Sequence, residues 1–282
     1  MTIGIGVLCS TEPRPHVPRP DALVMIADTM GSTETDSTGE LHKMYFFPEE
    51  QVFAVCADRL ERAADLFPLV RDSLKAIQGP RSHGAMLQAL NEAVHKHRSD
   101  HFKWDVVFTR YAIGGQILAE RQDRLYEEWG NYDVGAQILL GTFDNEGFAR
   151  LYYLGQFDGI PGLVHTIAFP GFISIGTGSP NATMWLNYRR QNFALNVKRS
   201  TFHAYEASLL AAKAPTVNDD IEMLIATSTG ACHYSRDGTS HQGSGISLSE
   251  LANLFKKYGP QSTEDLGFKP TSSVGEALPE DQ

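Results

Sequence analysis

The chain opens MTIGIGVLCS (residues 1–10) and, after a proline-rich run, continues ALVMIADT (residues 22–29). From Thr2 to Leu8 small or polar residues alternate with branched apolar ones, the two-residue period of a half-buried strand. That strand starts one residue after the initiator Met and leaves Thr2 at its edge. ALVMIAD is apolar nearly throughout, so both faces of this second strand are expected to be covered. Between the two, TEPRPHVPRP (residues 11–20) places four prolines within eight residues, which removes ladder donors and predicts a stiff, exposed loop. TMGSTETDSTGE (residues 29–40) reads as a polar loop.

Working outward, HKMYFF and QVFAVCA form a second hairpin joined by PEE, and apolar residues at helical spacing predict a helix over Asp58–Ile77 despite Pro68. A second helix is predicted over Ala85–Arg98. The charged segment Lys103–Trp129 reads either as more of the helical layer or as an insertion. Strands resume with VGAQILLGTF, EGFARLYYLG and GFISIGTG, followed by helices over Pro180–Asn192 and Val197–Lys213, a hairpin of IEMLIATS and ACHYS, and a short helix near Leu248–Tyr258. Residues 1–261 are read as one domain, and the tail Ser262–Gln282, rich in Glu, Pro, Ser and Gly, as disordered. Strands, two helices, strands, two helices, strands is the order of an α+β, αββα four-layer sandwich: two stacked, mostly antiparallel sheets between helical layers.

The bulk composition removes several function classes. A formal charge of −10 over 282 residues, with no long basic run, argues against nucleic acid as a partner. No apolar stretch has membrane-spanning length and the N-terminus lacks a signal-peptide pattern, so a cytoplasmic protein with no membrane partner is expected. Cys9, Cys56 and Cys232 are too few and too scattered for a disulfide framework or zinc site and are read as buried, inert thiols. No cofactor or metal is expected.

Four features in a fixed order resemble the proteasome β-subunit family, nearest in flavour to the bacterial proteasome-like peptidases. They are the strand opening on Thr2, VMIADT closing on Asp28, LHKM carrying Lys43, and ISIGTGSPNA carrying Thr177 ahead of a helix. The correspondence runs in outline from Thr2 to about Ser235 and leaves Lys103–Trp129 and the tail unaccounted for. The resemblance implies an N-terminal-nucleophile hydrolase that assembles into homo-oligomeric rings, takes a peptide or protein substrate, and has an ATP-dependent unfoldase as candidate partner.

It also implies roles. Thr2, freed by Met1 removal, would supply the attacking hydroxyl and, through its own α-amine of pKa about 7.7–8.0, the base. Lys43 would favour the alkoxide-like state and Asp28 would hold Lys43 charged. Thr177 would add a hydroxyl near the amine, and a backbone N–H near Asp58 would face the oxyanion. Two departures stand out. Asp58-Arg59 replaces a Gly-Gly pair, with Asp58 also readable as a helix N-cap. The family's second Asp falls at Ala214 or Pro215, with Asp219 and Asp220 as neighbours.

Each residue also has an ordinary reading: Thr2 as an edge-strand residue, Asp28 as a turn cap, Lys43 as a surface charge. GTGSPN lacks the third glycine and the parallel unit of a dinucleotide site. His83, His95, His97 and His101 lack a metalloprotease signature and read as a solvated helical face. The competing functions are a threonine-type peptidase, a catalytically silent ring subunit with a scaffold or docking role, and a small-molecule amidase on the same fold.

Overall fold

The alternation in the opening stretch has a spatial cause. In strand β1 (Ile3–Cys9) the side chains of Ile3, Ile5, Val7 and Cys9 enter one apolar core, while Gly4 and Gly6 face the opposite way. A Cβ on Gly4 would lie 2.7 Å from Val55 Cγ1 and 2.8 Å from Ile175 Cγ1, and one on Gly6 would lie 3.0 Å from both methyls of Leu151. Glycine is required because a second sheet presses against this strand.

These relations come from a computed structural model, which describes residues 3–12, 19–29, 43–113, 116–117, 122–157, 160–214, 217, 220–235, 239–240, 243–244 and 246–247. In chain order β1 is followed by β2 (Ala22–Asp28), β3 (Met44–Phe47) and β4 (Val52–Asp58), then α1 (Leu60–Lys75) and α2 (His83–Phe102). A π-helical turn (Lys103–Tyr111), the small hairpin β5 (Ala112–Ile113) and β6 (Gln116–Ile117), and α3 (Gln122–Asn131) come next. The chain then runs through β7 (Ala136–Phe143), β8 (Ala149–Phe157), β9 (Ile160–Thr166) and β10 (Phe172–Gly176), and into α4 (Ser179–Tyr188) and α5 (Val197–Ala211). It continues with β11 (Ile221–Thr227), β12 (Gly230–Ser235), β13 (Thr239–Ser240), β14 (Gly243–Ser244) and β15 (Ile246–Ser247).

One sheet has the order β10-β1-β2-β11-β12-β15, antiparallel except for the short parallel β12–β15 pair. The other has the order β3-β4-β7-β8-β9, antiparallel throughout. Ala182, Leu186, Phe202 and Ala207 of α4 and α5 cover the first sheet through Ile3, Ile26 and Met223. Leu23, Met25, Phe53, Leu139 and Leu224 fill the space between the sheets. Phe67, Val70 and Leu90 of α1 and α2 cover the second sheet over Cys56, Ile138 and Tyr152. The result is the expected αββα sandwich, with β2 buried along its whole length.

The differences from sequence expectation are local. Helix α1 runs through Pro68, which is exposed, so the amide donor it lacks leaves a carbonyl facing water rather than the core. Strand β9 went unread because it is an edge strand whose burial alternates and which carries Pro161 and Gly162. The segment Lys103–Trp129 forms the π turn, the β5–β6 hairpin and most of α3. Phe102, Trp129 and Tyr132 pack α3 onto the end of α2. All three cysteines are free and buried. Among the described residues no helix is long and apolar enough to cross a membrane. The predicted helix near Leu248–Tyr258, the tail and most of the proline-rich loop lie outside the described residues.

Candidate functional site

The register of β1 on β2 pairs Gly4 with Ala27, which brings the start of β1 level with Asp28, the last residue of β2. Asp28 Oδ1 accepts two hydrogen bonds, from Ile3 N at 2.9 Å and from Lys43 Nζ at 2.7 Å. The ion pair is closed to solvent, with side-chain exposures of 2% for Lys43 and 0% for Asp28. Lys43 directly precedes β3, and its carbonyl accepts from Cys56 N at 2.9 Å and from Cys56 Sγ at 3.4 Å, so the residue is fixed at its backbone as well as its ammonium. Burial pulls the Lys43 pKa below the ordinary lysine range, while the Asp28 carboxylate works in the opposite direction. A desolvated ammonium next to the first described backbone nitrogen is a strong local electrostatic source, because little water screens it.

Asp58 closes β4 in a left-handed conformation, φ 67°, which favours glycine and which Asp tolerates better than most residues. It does not cap α1: the N-cap is Arg59, without a side-chain bond, and the Asp58 carboxylate is engaged elsewhere. Asp58 Oδ2 accepts from Gln137 Nε2 at 2.6 Å, and Gln137 Oε1 accepts from Gly176 N at 3.3 Å. Gly176 is the register partner of Ile3, so Gln137 joins the ends of β4 and β10 at the start of β1. The exposed Asp58 carboxyl is held above its ordinary range, mainly by the side chains that crowd out its water, against the pull of the Gln137 hydrogen bond. In β4, Cys56 N–H points to Lys43 O, and strand alternation directs the Asp58 N–H, two residues on, to the same edge.

Thr177 follows Gly176 in the turn before α4 and is exposed. Thr2 lies outside the described residues, but its peptide bond is to Ile3 N. Asp28, Lys43, Asp58 and Thr177 thus all sit at the ends of strands around the beginning of β1, where the two sheets meet. For the second Asp implied by the resemblance, the described residues place Asp220 one residue before Ile221, the register partner of Asp28. Ala214 is an apolar residue packed against the α4–α5 core, Asp219 is not among the described residues, and the Asp220 carbonyl accepts from Thr29 N at 3.0 Å.

Gln137 was missed in the sequence. The available signal was a polar residue at the second position of AQILLGTF, an otherwise apolar strand start. The four histidines do not form one solvated face. His97 is 4% exposed and its ring lies 4.4 Å from that of His101. His101 meets Arg62 and Asp65, and His83 bonds Tyr152 Oη at 3.0 Å. Of the four only His97 is buried, on the side of α2 that meets Arg62 and Asp65 of α1, while His95 stays exposed beside Trp129. No cluster of metal-ligating side chains occurs among the described residues.

No protein-family model and no curated protein sequence matches the chain. Among solved structures, the Anbu (Gly-1) mutant from Hyphomicrobium sp. strain MC1 superposes with a TM-score of 0.57 at 13% sequence identity, covering 96% of this chain and 100% of that chain. At that identity the likeness carries the architecture and leaves the chemistry to be argued from residues. The chain has the broad proteasome-like, N-terminal-nucleophile fold.

Proposed function

We propose that the chain is an N-terminal threonine hydrolase that cleaves peptide amides through an ester on Thr2. The observation that carries this reading is the double acceptance by Asp28 Oδ1, which ties Ile3 N and the Lys43 ammonium to one buried oxygen. Covalent geometry keeps the Thr2 Cα within about 2.4 Å of Ile3 N, so residue 2 cannot leave this neighbourhood.

With Met1 removed, the Thr2 amine takes the proton from its own hydroxyl as the oxygen attacks the amide carbonyl. The Lys43 ammonium attracts the developing negative charge on that oxygen, and Asp28 keeps the ammonium in place. The Asp58 N–H lies at the strand edge where it would donate to the tetrahedral oxyanion. Collapse returns the proton to the leaving amine and leaves the acyl group esterified to Thr2. Water, deprotonated by the same amine, then hydrolyses the ester. Thr177 is assigned a hydrogen bond to the amine. Assembly into homo-oligomeric rings and feeding by an ATP-dependent unfoldase belong to the same reading.

Asp58 in a glycine-favouring conformation, and Ala214 or Pro215 where the sequence register puts the family's second Asp, favour a second reading, a catalytically silent ring subunit. Intact mass and peptidase assays separate the two. Loss of Met1 together with peptidase activity that disappears in Thr2→Ala supports the hydrolase. A trimmed, inert protein supports the silent subunit, and retained Met1 excludes the hydrolase.

A further inference from the structure

The side chain of Asp58 takes no part in the chemistry above, yet it is the most unusual group at the site. A carboxylate stands where the local backbone favours glycine, and a dedicated partner holds it there. The Gln137 amide has one orientation that satisfies both contacts: its N–H₂ faces Asp58 Oδ2 and its carbonyl faces Gly176 N–H. This fixes the Asp58 carboxylate two hydrogen bonds and one amide width from the backbone that pairs with Ile3.

The charge around it is mixed. The chain's N-terminal amine pulls the Asp58 pKa down and Asp133 pushes it up, while Asp133 also acts on Arg98 and its Oδ1 accepts Gly135 N at 3.0 Å. Arg59, the adjacent cation, runs its stem along Gly135 and acts on Asp105 and Tyr132 instead. The Lys43 ammonium is matched by Asp28 at 2.7 Å. Among the described residues Asp58 is thus an exposed carboxylate held by an amide rather than by a cationic side chain.

We propose that Asp58 is a specificity-determining residue: its carboxylate, positioned by Gln137, selects substrates with a basic side chain on the acyl side of the scissile amide. This rests on the hydrolase reading above and names its substrate class. A cation brought to about 6 Å from the carboxylate, in surroundings between protein and bulk water in dielectric, gains about tenfold in relative rate. An acidic side chain at the same position loses by a similar factor.

The experiment uses fluorogenic peptides that differ only in the residue on the acyl side of the cleaved bond, Arg, Leu or Glu, with an uncharged β-lactone as a control for Thr2 reactivity. The readout is the ratio of kcat/KM values, not an absolute rate. The wild-type order is Arg over Leu over Glu, by about tenfold at each step. Asp58→Asn keeps the Gln137 contact, removes the charge and collapses the ratio towards one. Gln137→Met releases the carboxylate and reduces the ratio, and restoring the amide with Gln137→Asn does so only in part because it is one methylene short. In the wild type the preference for Arg also fades as pH falls through the raised Asp58 pKa, a check that needs no variant.

A wild-type preference for Leu or Glu, or an Arg preference unchanged in Asp58→Asn, overturns the proposal while leaving the hydrolase reading intact. Failure of the β-lactone to modify Thr2 removes the hydrolase reading and this one with it.

Discussion

The Asp28–Lys43 pair is buried on both sides, so breaking it carries a large energetic cost, and a double-mutant cycle measures it. Replacing Asp28 by Leu leaves the Lys43 ammonium buried without its partner, at about 3–5 kcal/mol, and orphans the buried Ile3 N–H, at about 1–3 kcal/mol. Lys43→Met strands the carboxylate and costs about 3–5 kcal/mol. The double variant removes both charges and retains only the loss at Ile3, so it should be more stable than either single variant, with a coupling of about 6–10 kcal/mol, the sum of the two charge penalties. Each single loss is a large share of a typical 5–15 kcal/mol stability, so the contrast is readily seen in urea unfolding followed by tryptophan fluorescence.

The pH dependence supplies a second, signed readout of the same pair. Burial already lowers the Lys43 pKa, and the Asp28 carboxylate opposes that shift. Asp28→Leu therefore drives it lower still. Between that lowered value and the unfolded value near 10.5 the unfolded chain binds more protons, so stability rises with pH in this window, by up to about 1.4 kcal/mol per unit. A double variant no more stable than the weaker single one, or an Asp28→Leu stability that is flat across this window, would refute the assignment of a coupled buried pair.

Three further outcomes are expected. Gly4→Ala forces a methyl against Val55 and Ile175 and should cost about 1–3 kcal/mol, a drop of several degrees in Tm, whereas Gly84→Ala in α2, with open space around it, should be neutral or stabilise by up to about 1 kcal/mol; equal melting temperatures would contradict the close sheet contact. Arg98 donates to the carbonyls of Trp129 and Tyr132 and lies 4.1 Å over the Trp129 ring, so Arg98→Ala should speed amide exchange in Gln122–Asn131 by tenfold or more without affecting β4, and Arg98→Lys, lacking the guanidinium fork, should not restore it. Modification of Thr2 by a β-lactone should fall as pH rises through the lowered Lys43 pKa, since loss of the ammonium removes its attraction for the alkoxide; a rate level up to pH 10.5 would speak against that role.

How much of this was legible in the sequence follows from which constraints are local. The Gly–Ile alternation of β1 and the apolar run of β2 encode burial on known faces, and two helix pairs between strand groups suffice for the layer order. Lys43 and Asp28 could be matched by position, but their shared oxygen depends on the register of β1, β2 and β3 together. Gln137 could not be found that way, because its partners Asp58 and Gly176 are 79 and 39 residues distant and meet it only when both sheets are assembled. The alternative reading of Asp58 as a cap fails for the same reason: its left-handed backbone and its bond to Gln137 are properties of the strand end, not of the helix that follows. His97 looked solvated because the groups it faces, Arg62 and Asp65, lie on α1, and the packing of α1 on α2 is a tertiary fact that the period of α2 alone does not carry.

The account depends most directly on where an electrophile reacts. Top-down mass spectrometry of the β-lactone-treated protein should show a chain lacking Met1 with one adduct, an ester on the Thr2 hydroxyl, and none on Thr2→Ala. A chain that keeps Met1, or an adduct confined to any other residue, would contradict it.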